Sequence, residues 1–324
     1  MSERTLRVIG LGLIGGSLLR VADGAGWKVR GTARSAATVT AAQQAGFDVT
    51  PSIEDLLSDG AQDSLVVLAV PLPAVVDVLP IVARHAPRCR LTDVVSIKQP
   101  VAAAVARHIP LARYVGGHPM AGKSESGWDA ATATLFTGAP WVVGSDDSAD
   151  PVVWAQVAQL ALDCGAHVVP AGAEDHDAAV ARVSHLPHVL AAVLASVGAD
   201  GGPLAMALGA GSFADGTRVA ASRPELVRAM CEGNRSALLA AVDDALGRLG
   251  AARGSLASTG GLEATIRAGH LARRSFDIAR NGASGDTVHV DLDTPGALNR
   301  LRELGRQGAR VLALHDTRCE VGFR

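Results

Sequence analysis

The segment Gly10-Leu-Gly12-Leu-Ile-Gly15 constrains this chain more than any other feature, because it directly follows the apolar run Leu6–Ile9 and opens a helical pattern. A second apolar run, Lys28–Thr32, completes the spacing of a strand–helix–strand unit. Each glycine has a separate physical task. Gly10 permits a tight turn, Gly12 lets a pyrophosphate approach the backbone, and Gly15 lets the helix pack closely on the strand. The unpaired N–H groups of Gly12, Leu13 and Ile14 then face the phosphates at the positive helix end. The competing account is a glycine-rich turn without a ligand, which leaves the strand, helix and second strand unexplained.

The end of the second strand bears on the choice of dinucleotide. NAD sites commonly carry an acid there for the ribose 2′-hydroxyl. This chain reads Arg30-Gly-Thr32-Ala33-Arg34-Ser35, with Ala33 where the carboxylate is expected. Thr32, Arg34 and Ser35 offer a cation and hydroxyls suited to a 2′-phosphate, so NADP is favoured and NAD remains possible. Arg34 read as a solvated surface cation is the alternative. Val70, at the carboxyl end of a third run, joins the cofactor-binding candidates.

The first half continues to alternate strand and helix patterns, with candidate strands Leu65–Val70, Leu91–Val95, Tyr114–Gly116, Trp141–Val143 and His167–Val169. This is an α/β fold with a Rossmann-type parallel sheet over residues 1–171. From Gly172 the period changes, and Val180, Val183, Leu186, Leu190, Val193, Leu194 and Val197 recur at helical spacing. A second helix opens at Ser222-Arg-Pro-Glu225, a capping box, and is expected to run to Leu249 and stop at Gly250. Residues 172–282 thus form an all-helical substrate domain whose apolar stripes suit a homodimer. Residues 283–324 read as a small βαβ tail, with strands Thr287–Leu292 and Val311–Leu314 around a helix from Pro295 to Arg306. Such a unit is too small to fold alone; it is either an addition to a sheet edge or a regulatory appendage.

Bulk properties narrow the class. Hydrophobic residues are 48% and charged residues 19% of the 324, a globular balance. A net charge of −2 gives no reason to expect nucleic acid or an anionic membrane as partner. No apolar run is read as long enough for a membrane helix, and the polar start, Met1 to Arg7, does not read as a secretory signal. Four scattered cysteines without a CxxC pair suit reduced thiols. A cytoplasmic enzyme acting on a small molecule is the expectation.

Two segments after strands carry candidate chemistry: Asp93-Val-Val-Ser96-Ile-Lys98 and Gly116-Gly-His118-Pro-Met-Ala-Gly122-Lys123-Ser124-Glu125-Ser-Gly127. An imidazole's ordinary pKa lies near working pH, so His118 is a candidate general base or acid. A third segment, Ser184-His185-Leu-Pro187-His188, interrupts a helix, since Pro187 removes one hydrogen bond and crowds the carbonyl of Val183. Ser184 and His188 share a face. The histidine spacing has no accompanying acid, so no metal is expected. A fourth, Gly211-Ser-Phe213-Ala-Asp215-Gly-Thr217-Arg218, ends in a cation that suits a substrate carboxylate or, equally, an ordinary ion pair.

Taken in order, GLGLIGGSLL, DVVSIK, GGHPMAG, SHLPH and the stretch from Phe213 to Arg218 resemble the prephenate/arogenate dehydrogenase family of tyrosine biosynthesis, actinobacterial type. The resemblance implies that His118 accepts a proton from a ring hydroxyl and that Ser96 orients both. It implies that Lys98 lies near the cofactor, that His188 lines the substrate pocket and that Arg218 binds the carboxylate. Ser184, Lys123, Ser124 and Glu125 complete the expected substrate-binding set. Ser124 stands where an acid is common in the family and Glu125 follows one place later, which leaves prephenate or arogenate open. The rival readings are another two-domain dehydrogenase, for example one acting on a 3-hydroxy acid, and a non-catalytic NADP-binding sensor.

Overall fold

The computed structural model describes residues 4–123, 125–281 and 285–323. They divide into two compact units: residues up to His176 together with Asp286–Phe323, and Asp177–Gly285. The first unit holds two six-stranded sheets. In the first sheet, β1 (Thr5–Ile9), β2 (Lys28–Thr32), β3 (Asp48–Thr50), β4 (Leu65–Leu68), β5 (Arg90–Asp93) and β6 (Arg113–Val115) run parallel in the order β3-β2-β1-β4-β5-β6. The crossovers are α1 (Leu13–Gly24), α2 (Ala36–Gln44), α3 (Ile53–Leu57), α4 (Leu72–His85) and α5 (Gln99–His108). Leu6, Val8, Val66, Val67 and Leu68 are fully buried, as strands covered on both faces require. Ser35 and Ser52 cap α2 and α3 by accepting from Thr38 and Asp55 N–H.

The chain changes sheet at Gly116. The expected strand Tyr114–Gly116 ends at Val115, and β7 (Gly117–Pro119) opens the second sheet. Two glycines are needed because the chain passes so near its neighbours: a Cβ on Gly117 would lie 2.6 Å from the Asp93 carbonyl oxygen. β7 pairs antiparallel with β8 (Pro140–Gly144), which pairs parallel with β9 (His167–Ala171) after α6 (Pro151–Asp163). The candidate strands Trp141–Val143 and His167–Val169 therefore belong to this second sheet.

α7 (Ala173–Val180) leads to a π-helical turn, Ala181–His185, and then to α8 (Leu186–Asp200). The widened turn sits immediately before Pro187, whose missing N–H and bulky ring an ordinary turn accommodates poorly. The second unit continues with α9 (Gly202–Ala207), α10 (Gly211–Thr217), a 3-10 turn at Arg218–Ala221, α11 (Pro224–Gly233), α12 (Arg235–Ser258) and α13 (Glu263–Asn281). The single helix expected from Ser222 to Leu249 is two. Asn234 breaks it, turning its amide inward to donate to the Asp177 carbonyl at 2.7 Å and to meet His185 Nδ1 at 3.2 Å. Gly250 does not stop α12, and α11 begins after Arg223 without the expected side-chain cap. The run Ala173–Asp200 has the length and composition to cross a membrane, unlike the sequence expectation, because its charges gather near its start. Within the chain its Val183, Val193 and Val197 are more than half exposed.

The tail adds to the second sheet. β10 (Thr287–Asp291), α14 (Ala297–Arg306) and β11 (Ala309–His315) form the expected βαβ unit, and β12 (Arg318–Phe323), which the sequence reading missed, hairpins back between the two strands. β11 pairs with β9 through Val311 and Val168, giving the order β10-β12-β11-β9-β8-β7. Leu301 and Leu304 of α14 join one core with Val168 and Trp154.

α14 lies hard on β9: a Cβ on Gly305 would be 1.8 Å from the Pro170 carbonyl oxygen. An alanine normally stabilises a helix interior by up to about 1 kcal/mol over glycine. Gly305→Ala should instead destabilise by about 1–3 kcal/mol and lower the Tm. A thermal melt showing an unchanged or higher Tm would contradict this packing.

Candidate active site

The glycine-rich turn behaves as its residues require. Gly10 has φ of +102°, and its N–H donates to the Thr32 carbonyl at 2.9 Å, locking the turn to β2. A Cβ on Gly10 would meet the Ala69 carbonyl oxygen at 2.6 Å and Val70 Cγ1 at 2.9 Å. One on Gly15 would lie 1.9 Å from the Gly10 carbonyl oxygen, so helix and turn are in direct contact. At Gly12 nothing lies within 4 Å of that position. Two glycines are filled by protein and the middle one faces open space. That is the arrangement a pyrophosphate needs at the first turn of α1, where Gly12, Leu13 and Ile14 begin the helix without a side-chain cap or an acidic residue. These residues fit a dinucleotide.

Thr32 is buried at the end of β2. Arg34 follows, exposed, and Ser35 spends its acceptor on the Thr38 N–H at 3.4 Å while capping α2. Among the described residues no acid occupies the loop after β2.

At the ends of β5 and β6 a buried polar cluster shapes the reacting side. Asp93 is fully buried; its Oδ1 accepts from Lys98 Nζ and from the Val95 N–H at 2.8 Å, and its Oδ2 accepts from the Tyr114 hydroxyl at 2.6 Å. Lys98 also donates to the Gly117 carbonyl at 2.6 Å. Its ammonium thus fixes the residue before His118. Ser96 lies partly exposed in the same loop.

His118 is the middle residue of β7, paired with Val142 of β8, and only 8% exposed. Its Nδ1 lies 2.8 Å from Nε2 of His176, a residue the sequence reading did not single out. The run Glu174-Asp175-His176-Asp177 looks like a solvated helix start, and only the packing of α7 brings His176 inside. Lys123 and Glu125 are exposed in the loop after β7; Ser124 lies outside the described residues.

In the second unit, His188 of α8 and Arg218 of the 3-10 turn are close enough to interact. Burial pushes the His188 imidazole below its ordinary value. A hydrogen bond with the backbone of Val219 opposes this, and the Arg218 guanidinium lowers it further. The balance of these effects favours the neutral form of His188. Glycines bring the supporting elements together: a Cβ on Gly216 would meet Leu194 Cδ2 at 2.9 Å, and one on Gly198 would meet the Phe213 ring at 2.5 Å. Ser184 is half-buried within the π-helical turn, and His185 behind it is fully buried. Among the described residues no three His, Cys, Asp or Glu side chains are grouped to hold a metal ion.

Two family models match the chain in order. One, described as the prephenate dehydrogenase nucleotide-binding domain, covers residues 18–170, and one described as the prephenate dehydrogenase dimerization domain covers 172–260. Prephenate dehydrogenase of Bacillus subtilis is 31% identical over 248 residues, 74% of this chain and 67% of that protein. Cyclohexadienyl dehydrogenase of Zymomonas mobilis is 31% identical over 268 residues, 79% and 89% of the two chains. A crystal structure of a candidate prephenate dehydrogenase from Corynebacterium glutamicum superposes with a TM-score of 0.86 at 43% identity, covering 95% of this chain and 98% of that one. The two models together span most of the chain, the glycine turn and both histidine segments included or adjoined, and the chain belongs to the prephenate dehydrogenase family.

Proposed function

We propose that this chain catalyses the oxidative decarboxylation of prephenate to 4-hydroxyphenylpyruvate with a nicotinamide dinucleotide as oxidant. The observation that carries the reading is His118, held on β7 by the Lys98 contact to Gly117 and backed by His176. Gly10, Gly12, Leu13, Ile14 and Gly15, with Val70 alongside, would hold the dinucleotide, which would supply the hydride acceptor when bound. The chain's own residues supply position and one base. His118 takes the proton of the C4 hydroxyl while the C4 hydrogen leaves as hydride. The C4–O bond becomes a carbonyl, the ring carboxylate departs as CO2, and its bonding pair aromatises the ring to a phenolate, which takes back the proton held by His118 to give the phenol. Ser96 orients the hydroxyl. Arg218 binds a substrate carboxylate, and neutral His188 offers a hydrogen bond beside it without adding charge. The exposed Lys123 and Glu125 bear on the substrate side chain, where arogenate would carry an ammonium group; arogenate is the second substrate to assay.

NADP is the preferred dinucleotide in this reading. Arg34, with Thr32 and Ser35, meets a 2′-phosphate in a loop with no acid to hold a 2′-hydroxyl. The family's dimerization domain coincides with the unit that leaves Leu190, Val193, Val197, Leu239, Leu246 and Leu249 exposed, and these faces bury against a second copy.

With prephenate, reduced-nicotinamide absorbance should rise for the wild type, and His118→Asn should lower kcat by roughly 10²–10⁴-fold with little change in KM. Arg218→Ala should mainly raise KM; exchanged phenotypes would refute these roles. Arg34→Ala should raise KM for NADP and leave that for NAD nearly unchanged, and a wild type with a lower KM for NAD would reject the NADP preference. Light scattering at micromolar concentration should give the mass of two chains, and a monomer would contradict the dimer.

A further inference from the structure

His118 and His176 stand edge to face, their ring centroids 5.0 Å apart at 75°, with His118 Nδ1 and His176 Nε2 separated by 2.8 Å. Both rings are buried, at 8% and 3% exposure. At this distance one proton must lie between the two nitrogens, since two lone pairs repel and two N–H groups collide. Two neutral arrangements satisfy that. If His176 donates, His118 carries its own proton on Nε2 and has no nitrogen left to act as a base. If His118 donates, its Nε2 holds a lone pair and the ring is ready to accept.

We propose that His176 is a positioning residue for His118: its Nε2 accepts the Nδ1–H of His118 and so holds the opposite nitrogen of that ring in its basic form. The inference rests on the reaction assigned above, in which His118 takes the hydroxyl proton. As that proton arrives on Nε2, the Nδ1–H bond to His176 remains and stabilises the imidazolium, the part a carboxylate plays in hydrolase triads. The proton then passes from Nε2 to the phenolate oxygen of the product, which returns His118 to its starting form.

The surroundings of α7 hold His176 in place. The Ala173 N–H at its start donates to Asp146 Oδ1 at 3.0 Å. Arg306 of α14 pairs through Nε with Asp175, the residue before His176, at 2.9 Å. Arg302 of the same helix bonds the Ser145 carbonyl at 3.3 Å and Asp147 at 2.8 Å. The C-terminal tail therefore grips both the loop and the helix turn that deliver His176 to His118.

The test pairs spectroscopy with kinetics. In ¹⁵N-histidine-labelled wild type without substrate, with His118→Asn identifying the signals, His118 Nδ1 should be the protonated nitrogen and Nε2 the bare one at a pH where the ring is neutral. In His176→Leu that preference should disappear, and kcat with NADP and prephenate should fall on the order of 10- to 100-fold at nearly constant KM. His176→Gln, whose amide oxygen can accept the same N–H, should recover several-fold of that loss. A wild-type His118 protonated on Nε2, a His176→Leu enzyme with unchanged kcat, or a glutamine variant no better than leucine would each overturn the proposal. The wild-type spectrum decides even if the leucine variant does not fold. Because it needs no substrate, a chain inactive on both dienols would refute the assigned reaction and leave this result to stand or fall separately.

Discussion

A buried ion pair between Lys98 and Asp93 joins the two sheets of the first unit. Asp93 ends β5, Tyr114 belongs to β6, and the Gly117 carbonyl opens β7, so residues of three strands meet around one carboxylate and one ammonium. Removing one partner of such a pair strands a charge in a dry interior, at a typical cost of about 3–5 kcal/mol. Burial on this scale is tolerated because the visible acceptors are used: Asp93 receives an ammonium, a phenol and a backbone N–H. The consequence is positional. His118 follows a carbonyl that cannot drift, on a strand only three residues long.

The same economy governs the cofactor end. Three glycines in one turn have different neighbours: a carbonyl of β4's exit at Gly10, the turn itself at Gly15, and open space at Gly12. A side chain at the first two would collide with backbone, and one at Gly12 would occupy the space a phosphate requires. These roles follow from spacing alone, which is why the Rossmann half is legible in the sequence. The break at Pro187 was equally readable, because a proline inside an apolar helix must be relieved locally, and here a π-helical turn relieves it.

Other features depended on contacts that no local pattern announces. β3 and β7 have three residues each, too few to show a period. β12 carries a glycine and a glutamate, and its place between β10 and β11 follows from pairing. The polar Asn234 splits what reads as one long helix because its amide finds a carbonyl far away in sequence, at Asp177. His176 stayed hidden for a similar reason: three acids around it suggest solvent, whereas its ring turns toward another imidazole.

The tail gives the second sheet an unusual order of assembly. β9 receives its neighbour β11 only after the whole helical unit has been made. During synthesis on a ribosome, the edge of β9 and the apolar surface that Leu301 and Leu304 will cover stand open while the intervening helices emerge. The nascent chain thus carries a ready template for mispairing, and the closing strands end that exposure late. Folding of the dinucleotide-binding unit is therefore not strictly N-terminal first.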